Sequence, residues 1–293
     1  AEFNTLDGKT NVGVILQGGI SDTAANLADG GTASSGLTNS TTQDGDVAIT
    51  ITGTAPTVDE LNKIASLTTG VVTASISGNK TTLASLNTAS DDAVTMTVTD
   101  AVTVAEFNTL DGKTSVGVIL TGGVSDAAAA YASTTGTATS GRTAIAAQDG
   151  DAALTVTDAA TVAQANSVAT ATTGTVQFSG GITDSTTNLM NGDSSAISTG
   201  LSTAKTDDSD VVITANTAVT VAQFNLLDAA TSSAIVLSGG ISDTAANLAP
   251  SGTASSGLTN STTQDGDVAI TITGTAPTVT ELNKIASLTT GVV

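Results

Sequence analysis

Apolar, mostly β-branched residues alternate with small polar ones in five stretches: Val47, Ile49 and Ile51; Val94, Met96 and Val98; Leu154 and Val156; Val211 and Ile213; Val268, Ile270 and Ile272. A period of two places each set on one face, which predicts five strands that bury one side. Directly after each stretch the period changes. Val58, Leu61 and Ile64, like Val104, Phe107 and Leu110, stand three apart, a narrow apolar stripe on a helix of two to three turns. A helix that short does not stand alone in water and must lean on neighbours.

The helical segment is written five times in full, opening on Thr57, Thr103, Thr161, Thr220 and Thr278 with Glu or Gln three residues later. In that spacing the hydroxyl and the carboxylate or amide satisfy each other's orphan backbone N–H groups, so each threonine is expected to cap a helix. A sixth copy, lacking the threonine, occupies residues 1–4. Every copy carries an asparagine at one place, Asn4, Asn62, Asn108, Asn166, Asn225 and Asn283, so the copies are 58, 46, 58, 59 and 58 residues apart. A polar residue held at one place in each repeat predicts an asparagine ladder, with each amide satisfying backbone groups at a turn.

A second strand is expected after each helix, at residues 12–17, 71–76, 116–121, 175–179 and 234–238. It usually closes on Gly-Gly and then Ile or Val, Ser or Thr, and Asp. Asp22, Asp126, Asp184 and Asp243 read as caps of a further short helix. The longer repeats also insert Gly/Ser/Thr-rich segments, residues 29–44, 132–149 and 191–207, expected to be surface loops.

Strands joined by helices are expected to lie parallel with right-handed crossovers. The predicted fold is therefore an α/β solenoid, a right-handed stack of strand–short-helix coils with a parallel β-sheet; an all-β parallel helix is the alternative. Residues 1–293 read as a single repeat array with no separate globular domain. Residues 18–72 recur as 239–293, displaced by 221 and differing only at positions 29, 30 and 59 of the 55. A duplication so little diverged leads us to expect a window from a longer array, continued end to end by more of the same chain or by a neighbour.

Composition narrows the function classes. Cys, His and Trp are absent and aromatics make up 2 %, which suits a thin core of small aliphatic side chains and removes disulfides, thiolates and imidazole ligands. A net charge of −20 argues against nucleic acid and anionic membranes as partners, and no run is long and apolar enough to predict a membrane span. Paired carboxylates at Asp44 and Asp46, Asp149 and Asp151, and Asp265 and Asp267, with Asp91-Asp92 and Asp208/Asp210 in the equivalent places, are the candidate metal sites. Such pairs on a glycine turn suit Ca²⁺, a hard cation with oxygen ligands, although Asp-Gly is also ordinary turn chemistry. No cofactor is required. The carboxylates recur evenly, whereas an active site should break the repeat, so no enzyme is expected.

Threonine pairs at 50/52, 95/97, 155/157 and 271/273 lie on the outward alternation of the first strands, a pattern similar to ice-binding solenoids. The intervening strands are expected to present Ile15, Val71, Ile119, Gln177 and Val236 there. The apolar four of these form a stripe expected to make lateral contacts with other copies of the chain.

Three segments, residues 20–27, 103–111 and 68–72, resemble tandem repeats of very large secreted bacterial surface proteins of the kind met in cyanobacteria and among adhesins. The resemblance spans the whole chain. It implies export to the cell surface or extracellular matrix and a structural or adhesive task in a filament, sheath, surface layer, stalk or biofilm. A solenoid that binds ice or polysaccharide through its Thr-rich sheet face is the alternative function.

Overall fold

The computed structural model describes residues 2–293. It is a mixed α/β structure in which strands and helices alternate along the chain and the sheets are parallel. Two compact lobes are formed, one from residues up to Ser125 together with Thr143–Ala153, the other from Asp126–Arg142 and Leu154–Val293.

The first lobe holds an open five-stranded sheet in the order Ile20–Thr23, Ile49–Thr52, Val72–Gly78, Ala93–Val98, Val118–Leu120. In the second lobe Leu154–Val156 pairs with Val176–Phe178, Ile213–Ala215 lies between Ile182–Asp184 and Ile235–Val236, and Ile241–Thr244 pairs with Ile270–Thr273. Strands that hydrogen-bond side by side must share a face, and the inward rows are aliphatic: Ile49, Val72, Val94, Met96, Val98 and Val118 are all buried.

Five eight-residue helices, Val58–Ala65, Val104–Asp111, Val162–Ala169, Val221–Asp228 and Val279–Ala286, each start from a threonine with both hydrogen bonds of a capping box. The cap fixes the start and the apolar stripe supplies the anchor, with Leu61, Phe107, Leu110 and Phe224 fully buried.

Sequence and structure differ in four places. The inserted segments are not simple loops. Each contains a nine-residue helix, Ser35–Gln43, Ser140–Gln148 and Thr199–Asp207, and the recurrence of the first segment contains a fourth, Ser256–Gln264. Ser34, Thr139, Ser198 and Ser255 accept the N–H three residues on, and Leu37, Ile145, Leu201 and Leu258 are buried.

The expected core includes Ile51 and Val58, but both are only half-buried. Val162 and Val221, the counterparts of Val58, are covered by the nine-residue helices: a Cβ on Gly200 or Gly257 would fall 2.9 Å and 2.3 Å from their methyls. The 46-residue repeat has no such helix, so Val58 has no lid. Ile51 lies past the last residue of its strand that pairs with Val72–Gly78.

Residues 12–17 are not a strand. Their N–H groups are taken by side chains, Val14 donating to Gln43 Oε1 at 2.8 Å and Leu16 to Asp44 Oδ2 at 2.6 Å. The Ile-Ser-Asp segments, conversely, are strands in their own right: Ile20–Thr23, Val124–Asp126, Ile182–Asp184 and Ile241–Thr244. A Gly-Gly turn separates each from the strand or segment before it. Gly181, at φ 75°, lies so close to the next strand that a Cβ would meet the Val212 carbonyl at 2.7 Å. The 46-residue repeat lacks Gly-Gly, and there Val72–Gly78 runs on unbroken.

Finally, the caps of the further short helices are Thr23, Ala127, Ser185 and Thr244, one residue beyond the expected aspartates. Asp22, Asp184 and Asp243 instead hold the side-chain amides of Asn26, Asn188 and Asn247 at 2.6–2.7 Å. Asp126 accepts the Ala127 N–H at 2.8 Å.

Candidate functional site: the repeat junctions and the hydroxyl face

Of the carboxylates expected to bind a cation, one in each pair accepts a backbone N–H. Asp44, Asp149, Asp208 and Asp265 reach across to an earlier segment, accepting the N–H of Leu16 (2.6 Å), Leu120 (2.5 Å), Phe178 (2.7 Å) and Leu237 (2.8 Å). Asp92 does the same in the short repeat, accepting from Val72 at 2.7 Å and Ala89 at 2.8 Å. One carboxylate per repeat thus serves a main-chain N–H of an earlier segment.

The second members, Asp46, Asp151, Asp210 and Asp267, are exposed. Burial raises the Asp149 and Asp208 carboxyls above the usual aspartate range, and Asp151 and Asp210 beside them push in the same direction. Among the described residues no group of three or more carboxylates gathers where it could hold a metal ion.

Two further devices recur at the junctions. Thr68, Thr114, Thr231 and Thr289 donate to the carbonyls of Val47, Val94, Val211 and Val268 at 2.6–2.8 Å. In three of the inserted helices the last residue bridges to the copy of the repeated helix before it: Gln148 donates to Asp111 at 2.8 Å, and Gln43 and Gln264 pair likewise with Asp7 and Asp228.

The asparagines divide by surroundings. Asn62 has both bonds expected of the ladder, donating to the Ser85 carbonyl at 3.0 Å and accepting the Asn87 N–H at 2.6 Å. Asn166 and Asn225 stand against Gly200 and Gly257 of the inserted helices, and glycine is what permits that approach. Asn108, Asn225 and Asn283 are exposed.

The capping glutamates are held below their ordinary range. For Glu60, Glu106 and Glu281 the main cause is the N–H of Thr57, Thr103 or Thr278; Lys80, 2.9 Å from Glu106, adds to it there.

On the outward side of the five-stranded sheet the register aligns Ser21, Thr50 and Thr73 in one row, Ser75 and Thr95 in another, and Ser77, Thr97 and Ile119 in a third. This face is richer in hydroxyls than the sequence suggested, because the unbroken strand presents Thr73, Ser75 and Ser77 rather than an apolar row. A shallow groove crosses it, lined by Pro56, Thr73, Ser75, Ala93, Thr95 and Val116. Val71, Ile119 and Val236 are exposed, as is Ile15 outside any strand.

The repeat is broken most clearly at residues 126–169. Tyr131 occupies the place of Leu27 and Leu248, Ala165 that of Phe107 and Phe224, and Arg142 that of the buried Leu37 and Leu258. Tyr131 and Ala165 lie on contacting helices, Ala128–Tyr131 and Val162–Ala169, so a large-for-small exchange conserves volume. Burial drives the Tyr131 phenol up and the Arg142 guanidinium down. The phenol donates to the Thr155 carbonyl at 3.1 Å, and the guanidinium to that of Ser167 at 2.9 Å.

No helix among the described residues is long and apolar enough to cross a membrane. No protein-family model matches the chain, and searches of curated proteins and of solved structures found no match.

Proposed function

We propose that the chain is a structural segment of an extracellular or cell-surface assembly, a filament, sheath, surface layer or adhesin stalk, in which its repeats stack as a right-handed α/β solenoid. The observation that carries this reading is where the recurrent polar residues go. Asp44, Asp149 and Asp265, with Thr68, Thr231 and Thr289, all spend hydrogen bonds joining one strand–helix segment to a neighbouring one. Side chains that serve as mortar are not free to do chemistry, and in the break at residues 126–169 the Tyr131 phenol and the Arg142 guanidinium each donate to a backbone carbonyl. The reading therefore assigns no catalytic activity and needs no cofactor. Calcium at the exposed Asp46, Asp151 and Asp267 would be an accessory.

In this reading the partners are copies of the same chain, meeting end to end and laterally through Ile15, Val71, Ile119 and Val236. The charge of −20 keeps the assembly away from nucleic acid and anionic lipid. Electron microscopy of material isolated from its source is the test. Extended polymers are expected, and a uniformly monomeric, compact particle would refute the reading.

A second reading has one observation behind it. The aligned rows of Ser and Thr on the five-stranded sheet, uncharged and in register, suit a ligand that is itself an ordered array of hydroxyls or water, namely polysaccharide or ice. Thermal hysteresis and glycan-array measurements separate the two ligands, and silence in both removes this reading.

A further inference from the structure

One main-chain joint of the repeat is missing beside the hydroxyl face. Elsewhere the residue just before a capping threonine pairs with a later strand. Val102, Ala160 and Val219 donate to the carbonyls of Gly123, Gly181 and Gly240 at 3.0–3.1 Å, and accept the N–H of Ser125, Thr183 and Ser242 at 2.8–2.9 Å. Before Thr57 that residue is Pro56, which has no N–H to give. Ser75 takes the place of Gly181, three residues after the aspartate-held N–H of Val72 as Gly181 is after that of Phe178, and Ser77 takes the place of Thr183. Neither serine pairs with residues 53–56 among the described residues. Strand Ile49–Thr52 meets Val72–Gly78 only at Val72 and Thr73 and then leaves it. The Ser75 carbonyl and the Ser77 N–H therefore face an opening where the other repeats have chain.

The shallow groove on the sheet lies at this opening. Its volume is about 330 Å³, at the small end of ligand pockets (~300–1,000 Å³). Thr54, Ala55 and Pro56 line it from the departing chain, and Thr73, Ser75 and Thr95 from the strands. The hydroxyls of these four polar residues meet no partner among the described residues, whereas Thr68, Thr114, Thr231 and Thr289 have theirs engaged. No lining residue is charged, in a chain of net charge −20.

These features narrow the occupant. An open main-chain acceptor and donor, free hydroxyls and the carbon surface of Ala55 and Pro56 match a sugar ring, whose neighbouring hydroxyls donate and accept and whose C–H faces are apolar. The negative field of the chain repels acidic glycans, and an uncharged lining offers them no cation. A peptide strand would gain little, because the ladder is open only at Ser75–Ser77 before Asn79 caps a helix. An ice plane requires a flat array, which the groove interrupts.

We propose that this groove is a binding subsite for a neutral polysaccharide, in which one ring hydroxyl donates to the Ser75 carbonyl and a neighbouring one accepts the Ser77 N–H. The inference rests on the hydroxyl-face reading and deepens it, choosing glycan over ice and placing the contact.

The experiment titrates the full chain with cellohexaose, mannohexaose and xylohexaose, and follows amide exchange by NMR. Saturable binding of at least one is expected, with exchange at the Ser77 amide slowed about tenfold at saturation. Ser75→Leu, at an exposed position, should weaken binding about tenfold, while Thr155→Leu in the other lobe should leave it unchanged. Pro56→Val returns an N–H to the joint. It should slow the Ser77 amide without ligand and abolish binding, with unchanged circular dichroism showing that the variant is folded.

No binding of any of the three glycans overturns the proposal, as does binding that leaves Ser77 exchange unchanged or ignores Ser75→Leu. If Ser77 is protected instead by self-association that Pro56→Val relieves, the occupant is a protein strand and the proposal is wrong. The hydroxyl-face reading fails separately. Glycan binding lost with Thr50→Leu or Thr97→Leu but not with Ser75→Leu, or thermal hysteresis without glycan binding, keeps the face and rejects the groove; absence of both effects rejects the two together.

Discussion

Residues 18–72 and 239–293 are the same sequence at 52 of 55 positions, placed in two surroundings. Their local structures agree closely. Each has a strand of four residues opening on Ile, a nine-residue helix capped by Ser34 or Ser255, and an eight-residue helix with a full capping box. Their exposures do not agree: the apolar residues of the last helix and the last segment are sealed in one copy and open in the other. Backbone conformation here is thus set by hydrogen bonds closed within the segment, whereas burial is conferred by the next segment along. This is how energy divides in repeat proteins, into intrinsic terms and nearest-neighbour interfaces.

The comparison can be broken most strongly at its leucines. Leu61→Ala should lower stability by about 2–5 kcal/mol, the range for large cavities in well-packed cores. Leu282→Ala should cost under ~1 kcal/mol, since that side chain is already in contact with solvent. Denaturant unfolding of the two variants checks this, and equal losses would mean that cover does not govern the difference.

The caps should behave in the opposite way. Thr57→Ala and Thr278→Ala each remove an acceptor for the N–H of the third helical residue, a loss of about 1 kcal/mol expected to be similar in the two copies because nothing outside the segment takes part. Thr103→Ala should match them, while Thr97→Ala on the outer strand face should have little effect.

A subtler contrast lies in the three substitutions that separate the copies. Gly30 has φ 53° and its counterpart Ser251 φ 55°, in the left-handed region where a Cβ is strained by roughly 1 kcal/mol. Ser251→Gly should stabilise the second copy by a few tenths to about 1 kcal/mol, offset in part by the added freedom of the unfolded chain, and Gly30→Ser should destabilise the first by a similar amount. Thermal unfolding of the reciprocal pair tests whether the backbone there ignores the residue it carries.

The smallest effects are electrostatic and have opposite signs. Glu60 and Glu281 are held below their ordinary range by the capping N–H, so their contribution is present above the unfolded value and lost as pH falls through the folded one. Asp149 and Asp208 are raised, chiefly by burial. Their contribution is full below the unfolded aspartate value and lost as pH rises through the folded one. Carboxyl carbon shifts followed by NMR should place the glutamate midpoints below, and these two aspartate midpoints above, those of model peptides.

The capping boxes and the strand-helix alternation were legible in the sequence because each rests on residues a few positions apart. Thr103 and Glu106 announce their helix without knowledge of anything else in the chain. The inserted helices were not legible by periodicity. Ser35–Gln43 reads Ser-Gly-Leu-Thr-Asn-Ser-Thr-Thr-Gln, with one apolar anchor, and its Ser40, Thr41 and Thr42 hydroxyls turn back onto carbonyls of the preceding turn, hiding polarity that looks solvent-bound on paper. Ser34 three residues before Leu37 was the available signal. The backbone partners of the aspartates were hidden for a different reason. An Asp-Gly turn is visible in sequence, but the Leu16 N–H that occupies Asp44 lies 28 residues away, and only the fold brings them together.

The grip of Asp44, Asp92, Asp149, Asp208 and Asp265 on main-chain N–H groups has a genetic consequence. A carboxylate that holds an amide holds something every non-proline residue possesses, so the partner position can drift through Leu16, Val72, Leu120, Phe178 and Leu237 without a matching change on the other side. Joints of that kind do not need to co-evolve. A gene built from them tolerates unequal crossing-over, because a repeat inserted or deleted in frame meets neighbours it can already hold. The copies at 18–72 and 239–293 are alike to three residues, the degree of likeness such exchange would leave.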